Sequence, residues 1–193
     1  MSARRVDGMT DAVILTGTVG SGKTSTMHAL GALLGERGVP HAMVDADAVR
    51  LLRPSPPDDP FHRELELRNL RDLSRNFRDA GARVVIVAAV IEQAADLPRY
   101  AEALGSREPL LVHLTVDPRT VRARLDARHD GDADARAWHT ARAPELAAIL
   151  AAADLGGTES ARSQPPSRSS RHPRTSWSAP SSRAAAEVQR RTP

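Results

Sequence analysis

The chain has 193 residues, of which 40% are hydrophobic and only 3% aromatic, so we expect a core built from Ala, Val, Leu and Ile. It contains no Cys, which excludes disulfide scaffolds, cysteine nucleophiles and cysteine-ligated metal sites. No apolar run approaches the ~18 residues of a membrane span, and no signal-peptide block follows Arg4 and Arg5, so we expect a cytoplasmic protein without a membrane partner.

Short apolar runs along the chain alternate with segments of helical spacing. In chain order the pattern predicts a strand at 12–16, a helix at 25–34, a strand at 41–45, a proline-rich loop at 53–60, a helix at 61–80, a strand at 83–91, a helix at 97–104, a strand at 110–116, and helices at 118–128 and 141–155. Strands alternating with helices predict an α/β fold, a three-layer sandwich around a parallel sheet. Such sheets bind their ligands at the carboxyl ends of the strands.

The two ends of the chain differ in composition from the middle. Residues 1–11 are polar and predict a flexible N-terminus, whereas 12–155 carry the pattern of one folded domain. Residues 156–193 hold nine Ser, five Pro and seven Arg, which predicts a disordered tail and a sheet without a fifth strand. The composition of this tail resembles an out-of-frame translation of a GC-rich gene, and a polar tail added by selection is the alternative.

The net charge of +3 is unevenly distributed. Residues 156–193 carry seven Arg against Glu159 and Glu187, so the remainder of the chain sums to −2. Because the basic character belongs to the tail, the folded part is not expected to bind nucleic acid. Lys23 is the only Lys in the sequence, and every other residue among the 27 Lys and Arg residues is an Arg.

The sequence GTVGSGKT at 17–24 is a P-loop, G-x-x-x-x-G-K-T, and it lies between a predicted strand and a predicted helix. Its glycines let backbone N–H groups point at phosphate oxygens, and the start of the helix adds the positive end of its dipole. Lys23 is expected at the β- and γ-phosphates, and the Thr24 hydroxyl at Mg²⁺. The predicted ATP-binding residues are Gly17, Thr18, Val19, Gly20, Ser21, Gly22, Lys23, Thr24 and Ser25.

Several classes of protein carry a P-loop, and the rest of the chain narrows the choice. A domain of this size is too short for most helicase or motor cores. The absence of an N-K-x-D guanine motif counts against a GTPase. A small-molecule kinase or a simple ATPase remains.

The stretch VDADAVR places Asp45, Asp47 and Arg50 directly after the second predicted strand. Because the strand ends of a parallel sheet share one edge, these side chains are expected beside the P-loop. A carboxylate there can take the proton of an attacking hydroxyl or organise Mg²⁺. The alternative is a solvated loop in which Asp caps a helix.

From Ala12 to Arg128, the segments GTVGSGKT, VDADAVR, ELRNLRDLSRNFRDAG and RVVIVAAVI resemble the adenylyl-sulfate kinase family. The D-x-x-R element of Asp47 and Arg50 is also similar to that of zeta-toxin-like kinases. The resemblance implies that Asp47 is the base or a metal-organising carboxylate and that Arg50 contacts the phosphoryl acceptor. Alignment on the D-A-G end of the third segment places Arg63 and Arg68 on the family's acceptor-side arginines.

Three features depart from that family's pattern. Glu66 stands where the family has Asn, and residues 88–92 replace its S-F-I-S-P stretch. The R-D-x-K-G-L-Y segment of the family's lid is also absent. The resemblance therefore supports the architecture of a kinase more strongly than adenylyl sulfate as its substrate.

Arg124 and Arg128 form an R-L-x-x-R element that lies on one face of a predicted helix. It resembles the lids of small P-loop kinases, in which arginines stabilise charge on the phosphoryl group during transfer. The alternative is an Arg-rich solvated helix.

The sequence thus predicts an enzyme that uses ATP and Mg²⁺ to phosphorylate a small-molecule hydroxyl or an already phosphorylated acceptor. Catalytic roles are expected for Lys23, Asp47, Arg124 and Arg128, acceptor binding for Asp45, Arg50, Arg63 and Arg68, and metal binding for Thr24 and Asp45. The alternative is an ATP-binding protein with little or no transferase activity because of its altered C-terminus. A weaker alternative is an RNA-associated kinase that uses the basic tail. The sequence does not predict the oligomeric state.

Overall fold

The computed structural model describes residues 10–128, 132–153, 155 and 159–162. The elements are β1 (Ala12–Gly17), α1 (Lys23–Glu36), β2 (His41–Asp45), α2 (Arg63–Asp79), β3 (Val84–Ala88), α3 (Leu97–Ala103), β4 (Leu110–Thr115), α4 (Pro118–Arg128), α5 (Ala133–Ala152) and β5 (Glu159–Arg162). Single turns of 3-10 helix occur at Ala46–Ala48 and Ala94–Asp96. The α/β fold expected from the sequence is confirmed.

The strands form one sheet in the order β2-β3-β1-β4-β5, and every neighbouring pair is parallel. All carboxyl ends therefore lie along the same edge. The loop after β1 and the turn after β2 meet at this edge, as the sequence predicts, although β3 separates the two strands. This edge holds the candidate site.

Helices cover both faces of the sheet, as the unbroken apolar runs of β1 and β3 require. On one face the strand residues Ala12, Ile14, Val85 and Val87 pack against Leu67, Leu70, Tyr100 and Ala103 of α2 and α3. On the other face Val13, Leu15, Val84 and Ile86 pack with Met27, Leu30 and Leu34 of α1. Alternate residues of each strand thus pack against the helices on opposite faces of the sheet.

The expectation that the sheet lacks a fifth strand is wrong. Residues Glu159–Arg162 form β5, which pairs in parallel with β4 and aligns Glu159 with Val112. The sequence of β5 is polar, so it carries no apolar signal. Sheet ladders join backbone groups, and an edge strand can therefore form without an apolar run. The disorder expected for the other residues of 156–193 concerns positions outside the described residues. The flexibility expected for 1–11 concerns such positions at 1–9, whereas Asp11 is described and accepts a hydrogen bond from Ser106.

The last helix begins earlier than the sequence indicates, at Ala133 instead of Ala141. The segment between the predicted helices 118–128 and 141–155 includes Asp134, which lies in the first turn of α5. A carboxylate at that position interacts favourably with the positive end of a helix. Within the described ranges, no helix is both long and apolar enough to cross a membrane.

Candidate functional site

The loop between β1 and α1 leaves the start of α1 open to an anion. Gly22 caps the helix in the left-handed region, with φ of 96°, and no side chain bonds to the cap. The first turn of α1 contains no acidic residue. No acidic residue of the first turn and no capping side chain therefore competes with a phosphate for the first N–H groups of α1 and the positive end of the helix dipole.

Lys23 is the first residue of α1, and its ammonium reaches back over the loop. The Nζ atom donates to the carbonyl oxygen of Gly17 at 2.9 Å and to that of Thr18 at 3.0 Å. These two bonds fix the only ammonium side chain of the protein at the mouth of the loop. A full positive charge at this place is available to phosphate oxygens.

Ser21 is fully buried within the loop, and among the described residues its Oγ atom has no hydrogen-bond partner. Because that atom has almost no accessible surface, it lies inside the loop, next to Gly17, and not on the surface that would face a phosphate.

Gly17 lies against Ser21 and the backbone of β4. A Cβ atom on Gly17 would come within 2.7 Å of both the Leu114 carbonyl oxygen and Ser21 Oγ. Gly17→Ala should therefore lower the free energy of unfolding by about 2–4 kcal/mol, from overpacking together with a strained φ. Urea unfolding measures this loss.

Gly38→Ala is the matched control, because Gly38 also has a positive φ, of 65°, but nothing lies within 4 Å of its added Cβ. This substitution should lower the free energy of unfolding by the backbone strain alone, about 1–2 kcal/mol. Equal losses in the two variants would contradict the close packing of the loop against β4.

Thr24 and Asp45 bring two oxygen ligands together at the start of α1. Thr24 Oγ1 donates to Asp45 Oδ2 at 2.8 Å, while Asp45 Oδ1 accepts from the backbone N–H of Asp47 at 3.1 Å. Asp45 thus caps the following turn and also contacts the P-loop residue Thr24.

The pair of Thr24 and Asp45 fits Mg²⁺, which takes oxygen ligands and is commonly held by one or two carboxylates plus substrate phosphates. In the part of the chain that the structure describes, no group of three or more His, Cys, Asp or Glu residues could hold a metal ion alone. A cation here would therefore take its further ligands from water and from the phosphates of a nucleotide.

Asp47 and Arg50 lie one turn apart after β2 and are joined by a salt bridge from Arg50 NH2 to Asp47 Oδ1. Arg50 NH1 also donates to Glu66 Oε2 at 3.2 Å. Glu66 Oε1 accepts from the Tyr100 hydroxyl at 2.5 Å. A chain of polar contacts thus runs from the strand edge, through α2, to α3.

The members of this chain differ in burial. The Asp47 side chain is 68% exposed and that of Arg50 is 30% exposed, whereas Glu66 is 2% exposed. Burial raises the pKa of Glu66, although the Tyr100 hydroxyl and Arg50 oppose that rise. Burial likewise raises the pKa of Tyr100, so its hydroxyl remains a donor. Burial would lower the pKa of Arg50, but Asp47 and Glu66 raise it.

The two arginines assigned to the acceptor side of α2 have different positions. Arg63 at the start of α2 forms a salt bridge with Asp96, which is 10% exposed and precedes α3. Arg68 is exposed, and it lies about 200° around the helix from Glu66. The structure therefore brings Arg63 to the face of Glu66 but not Arg68.

Arg124 of α4 reaches the P-loop, where its NH1 atom donates to the carbonyl oxygen of Gly20 at 3.0 Å. Around this contact, Val121 and Leu125 of α4 pack with Val19 of the loop. Arg128 is the last residue of α4, and its side chain lies outside the described residues. The structure thus places one of the two predicted arginines at the nucleotide loop.

The model of the AAA domain family matches residues 13–145, which contain the loop, the sheet edge and α4. The chain belongs to this family. Among curated proteins, no sequence matches the chain.

Solved structures share the fold of this AAA domain at low sequence identity. A sugar kinase from Janibacter sp. HTCC2649 is 20% identical with a TM-score of 0.55, over 81% of this chain and 88% of that one. A gluconokinase from Sinorhizobium meliloti 1021 is 17% identical with a TM-score of 0.51, over 80% and 83%. The tunicamycin resistance protein of Deinococcus radiodurans is 19% identical with a TM-score of 0.52, over 79% and 86%.

In the sequence, Glu66 stands out only as a departure from a family pattern. Its contacts with Arg50 and Tyr100 are not predicted by that pattern. A signal was present, because Glu66 is one turn before Leu70 and so lies on the buried stripe of α2. A carboxylate on an apolar stripe calls for a partner, although the sequence does not say which residue supplies it.

Proposed function

We propose that this AAA domain is a phosphotransferase that uses ATP and Mg²⁺ to phosphorylate a hydroxyl group of a small molecule. One observation carries the proposal: Thr24 of the P-loop bonds to Asp45 at the end of β2, and Asp47 follows two residues later. A phosphate site, a metal pair and an accessible carboxylate therefore meet at one edge of the sheet. The names of two similar structures, a sugar kinase and a gluconokinase, also support small-molecule phosphorylation.

The nucleotide side of the reaction is assigned to the P-loop. Its backbone N–H groups and Lys23 bind the phosphates of ATP, and Arg124, anchored to Gly20, stabilises charge at the loop. Thr24 and Asp45 hold Mg²⁺, which supplies charge neutralisation on the phosphates when it is bound.

The acceptor side is assigned to Asp47 and Arg50. Arg50 donates to Asp47 Oδ1, which leaves Oδ2 to accept the hydrogen of the acceptor hydroxyl. The acceptor oxygen then bonds to the γ-phosphorus while the bond from that phosphorus to the bridging oxygen of ADP breaks. The hydroxyl proton passes to Asp47, and ADP leaves.

The alternative of a nucleotide-binding protein with little or no transferase activity rested on the altered C-terminus. Of that region the structure describes β5, which pairs with β4, and the residues after Arg162 lie outside the described residues. The presence of a carboxylate beside the P-loop favours transfer over binding alone.

A screen for ADP production tests the proposal. We expect Mg²⁺-dependent ADP formation that rises when a suitable hydroxyl compound is added, and we expect Lys23→Ala to abolish that rise. ADP formation that persists undiminished in Lys23→Ala, or that no acceptor stimulates, would refute the assignment.

A further inference from the structure

Arg50 is held by carboxylates on two sides. Its NH2 atom donates to Asp47 and its NH1 atom to Glu66. Two ionised carboxylates together carry two negative charges, which exceed the single positive charge of the guanidinium. Arg50 therefore presents little net charge to an acceptor, although it keeps donors that are not used in these two bonds.

The contacts of Glu66 hold its carboxylate against Arg50. The residue is 2% exposed, and each of its carboxylate oxygens accepts one hydrogen bond, from Arg50 or from Tyr100. The two donors favour the ionised form of Glu66, which opposes the effect of burial. A rotation of the carboxylate away from Arg50 would break a hydrogen bond of a buried group.

Arg63, at the start of α2, is also paired with a carboxylate. Arg63 forms a salt bridge with Asp96, a largely buried carboxylate. Asp96 also lies 3.8 Å from a second guanidinium, that of Arg99, so among these described contacts Arg50 and Arg63 each face a carboxylate that is largely or fully buried.

This charge balance disfavours an anionic acceptor. A phosphate, sulfate or carboxylate group placed beside Arg50 would approach Asp47 and Glu66 as well, and like charges in close contact weaken binding. An uncharged hydroxyl compound meets no such repulsion and can use both the carboxylate oxygens and the unused N–H groups. The pattern differs from that of a site built to bind an anion, where an arginine keeps its charge for the ligand.

We propose that Glu66 is a specificity-determining residue that acts through Arg50 and excludes anionic acceptors, so that the acceptor is a hydroxyl compound without a phosphate, sulfate or carboxylate group. This inference rests on the phosphotransferase function proposed above. It replaces the expectation from sequence that Arg50, Arg63 and Arg68 bind a negative charge on the acceptor.

Matched acceptors test the inference in the wild-type protein. ADP production is measured with neutral sugars and polyols, with their phosphorylated and acidic counterparts, and with adenylyl sulfate, in slightly alkaline buffer where carboxylates are ionised. We expect kcat/KM for the best neutral acceptor to exceed that of its anionic counterpart by about tenfold or more. A preference for the anionic member would overturn the inference and leave the phosphotransferase function standing.

Variants of Glu66 assign the preference to this residue. Glu66→Gln keeps the shape of the side chain and an oxygen for Tyr100 but removes the charge opposite Arg50, so the preference for neutral over anionic acceptors should fall by about tenfold. Glu66→Asp retains the charge and should retain the direction of the preference. Thermal unfolding of each variant confirms that the measured protein is folded.

Glu64→Gln is the matched control. Glu64 lies on the same helix and also pairs with an arginine, Arg99, but both side chains are exposed. Its substitution should leave the ratio of kcat/KM values unchanged. An unchanged ratio in Glu66→Gln, or an equal change in Glu64→Gln, would contradict the role of Glu66. No Lys23-dependent ADP formation with any acceptor would overturn the phosphotransferase function itself.

Discussion

Lys23→Ala is expected to weaken ATP binding by roughly 10- to 150-fold, because a hydrogen-bonded charge on a ligand is worth about 1.5–3 kcal/mol. The Nζ atom of Lys23 is held by two loop carbonyls at the mouth of the P-loop, so the charge is in place before a nucleotide arrives. Turnover should fall further, by about 10²-fold or more, since Lys23 also stabilises the charge that develops on the phosphoryl group. Calorimetry with ATP and Mg²⁺ measures the loss of binding.

Arg37→Ala provides the control for this change. Arg37 follows the last turn of α1 and is exposed, so its substitution removes one positive charge from the far end of the same helix. ATP affinity should remain within about twofold of the wild-type value, because exposed charges at that distance are screened by salt. Unchanged affinity in Lys23→Ala would show that the nucleotide is bound elsewhere.

The P-loop and the strands could be predicted from the sequence because their signals are local. The motif at 17–24 fixes its own geometry, since its glycines and Lys23 act within one loop and one helix start. The runs that form β1, β3 and β4 are apolar enough to be recognised without knowledge of their neighbours. The placement of Asp45 beside Thr24 followed from a single rule, that parallel strands end at one edge.

The acceptor side could not be predicted in the same way, because its contacts join residues that are distant in sequence. Glu66 and Tyr100 are 34 positions apart, and Arg63 and Asp96 are 33 apart. No local pattern indicates which carboxylate will neutralise which arginine. The polar strand β5 escaped prediction for a related reason, since only β4 beside it supplies the backbone groups that it pairs with.

Asp47→Asn is the second change with a large expected effect. The substitution preserves the shape of the side chain but removes the charge and basicity that a hydroxyl acceptor requires, so kcat should fall by roughly 10²-fold or more. ATP affinity should be retained, because Asp45 and not Asp47 contacts the P-loop residue Thr24. Steady-state kinetics together with ATP calorimetry separates the two quantities.

Asp72→Asn is a close structural match for this variant. Asp72 pairs with Arg75 three residues later, as Asp47 pairs with Arg50, and the two Asp side chains are 62% and 68% exposed. Asp72 lies on α2, away from the P-loop, so Asp72→Asn should leave kcat unchanged. If Asp47→Asn behaved like Asp72→Asn, the salt bridge of Asp47 would be an ordinary surface pair without a catalytic role.

Asp45→Asn distinguishes the two carboxylates at the end of β2. Asp45 bonds to Thr24, so its substitution should raise the Mg²⁺ concentration needed for half-maximal activity, whereas Asp47→Asn should leave that concentration unchanged. Near-normal turnover in Asp47→Asn together with complete loss of activity in Asp45→Asn at saturating Mg²⁺ would reverse the assignment. Asp45 would then be the group that receives the proton, and Asp47 would serve to position Arg50 through their salt bridge.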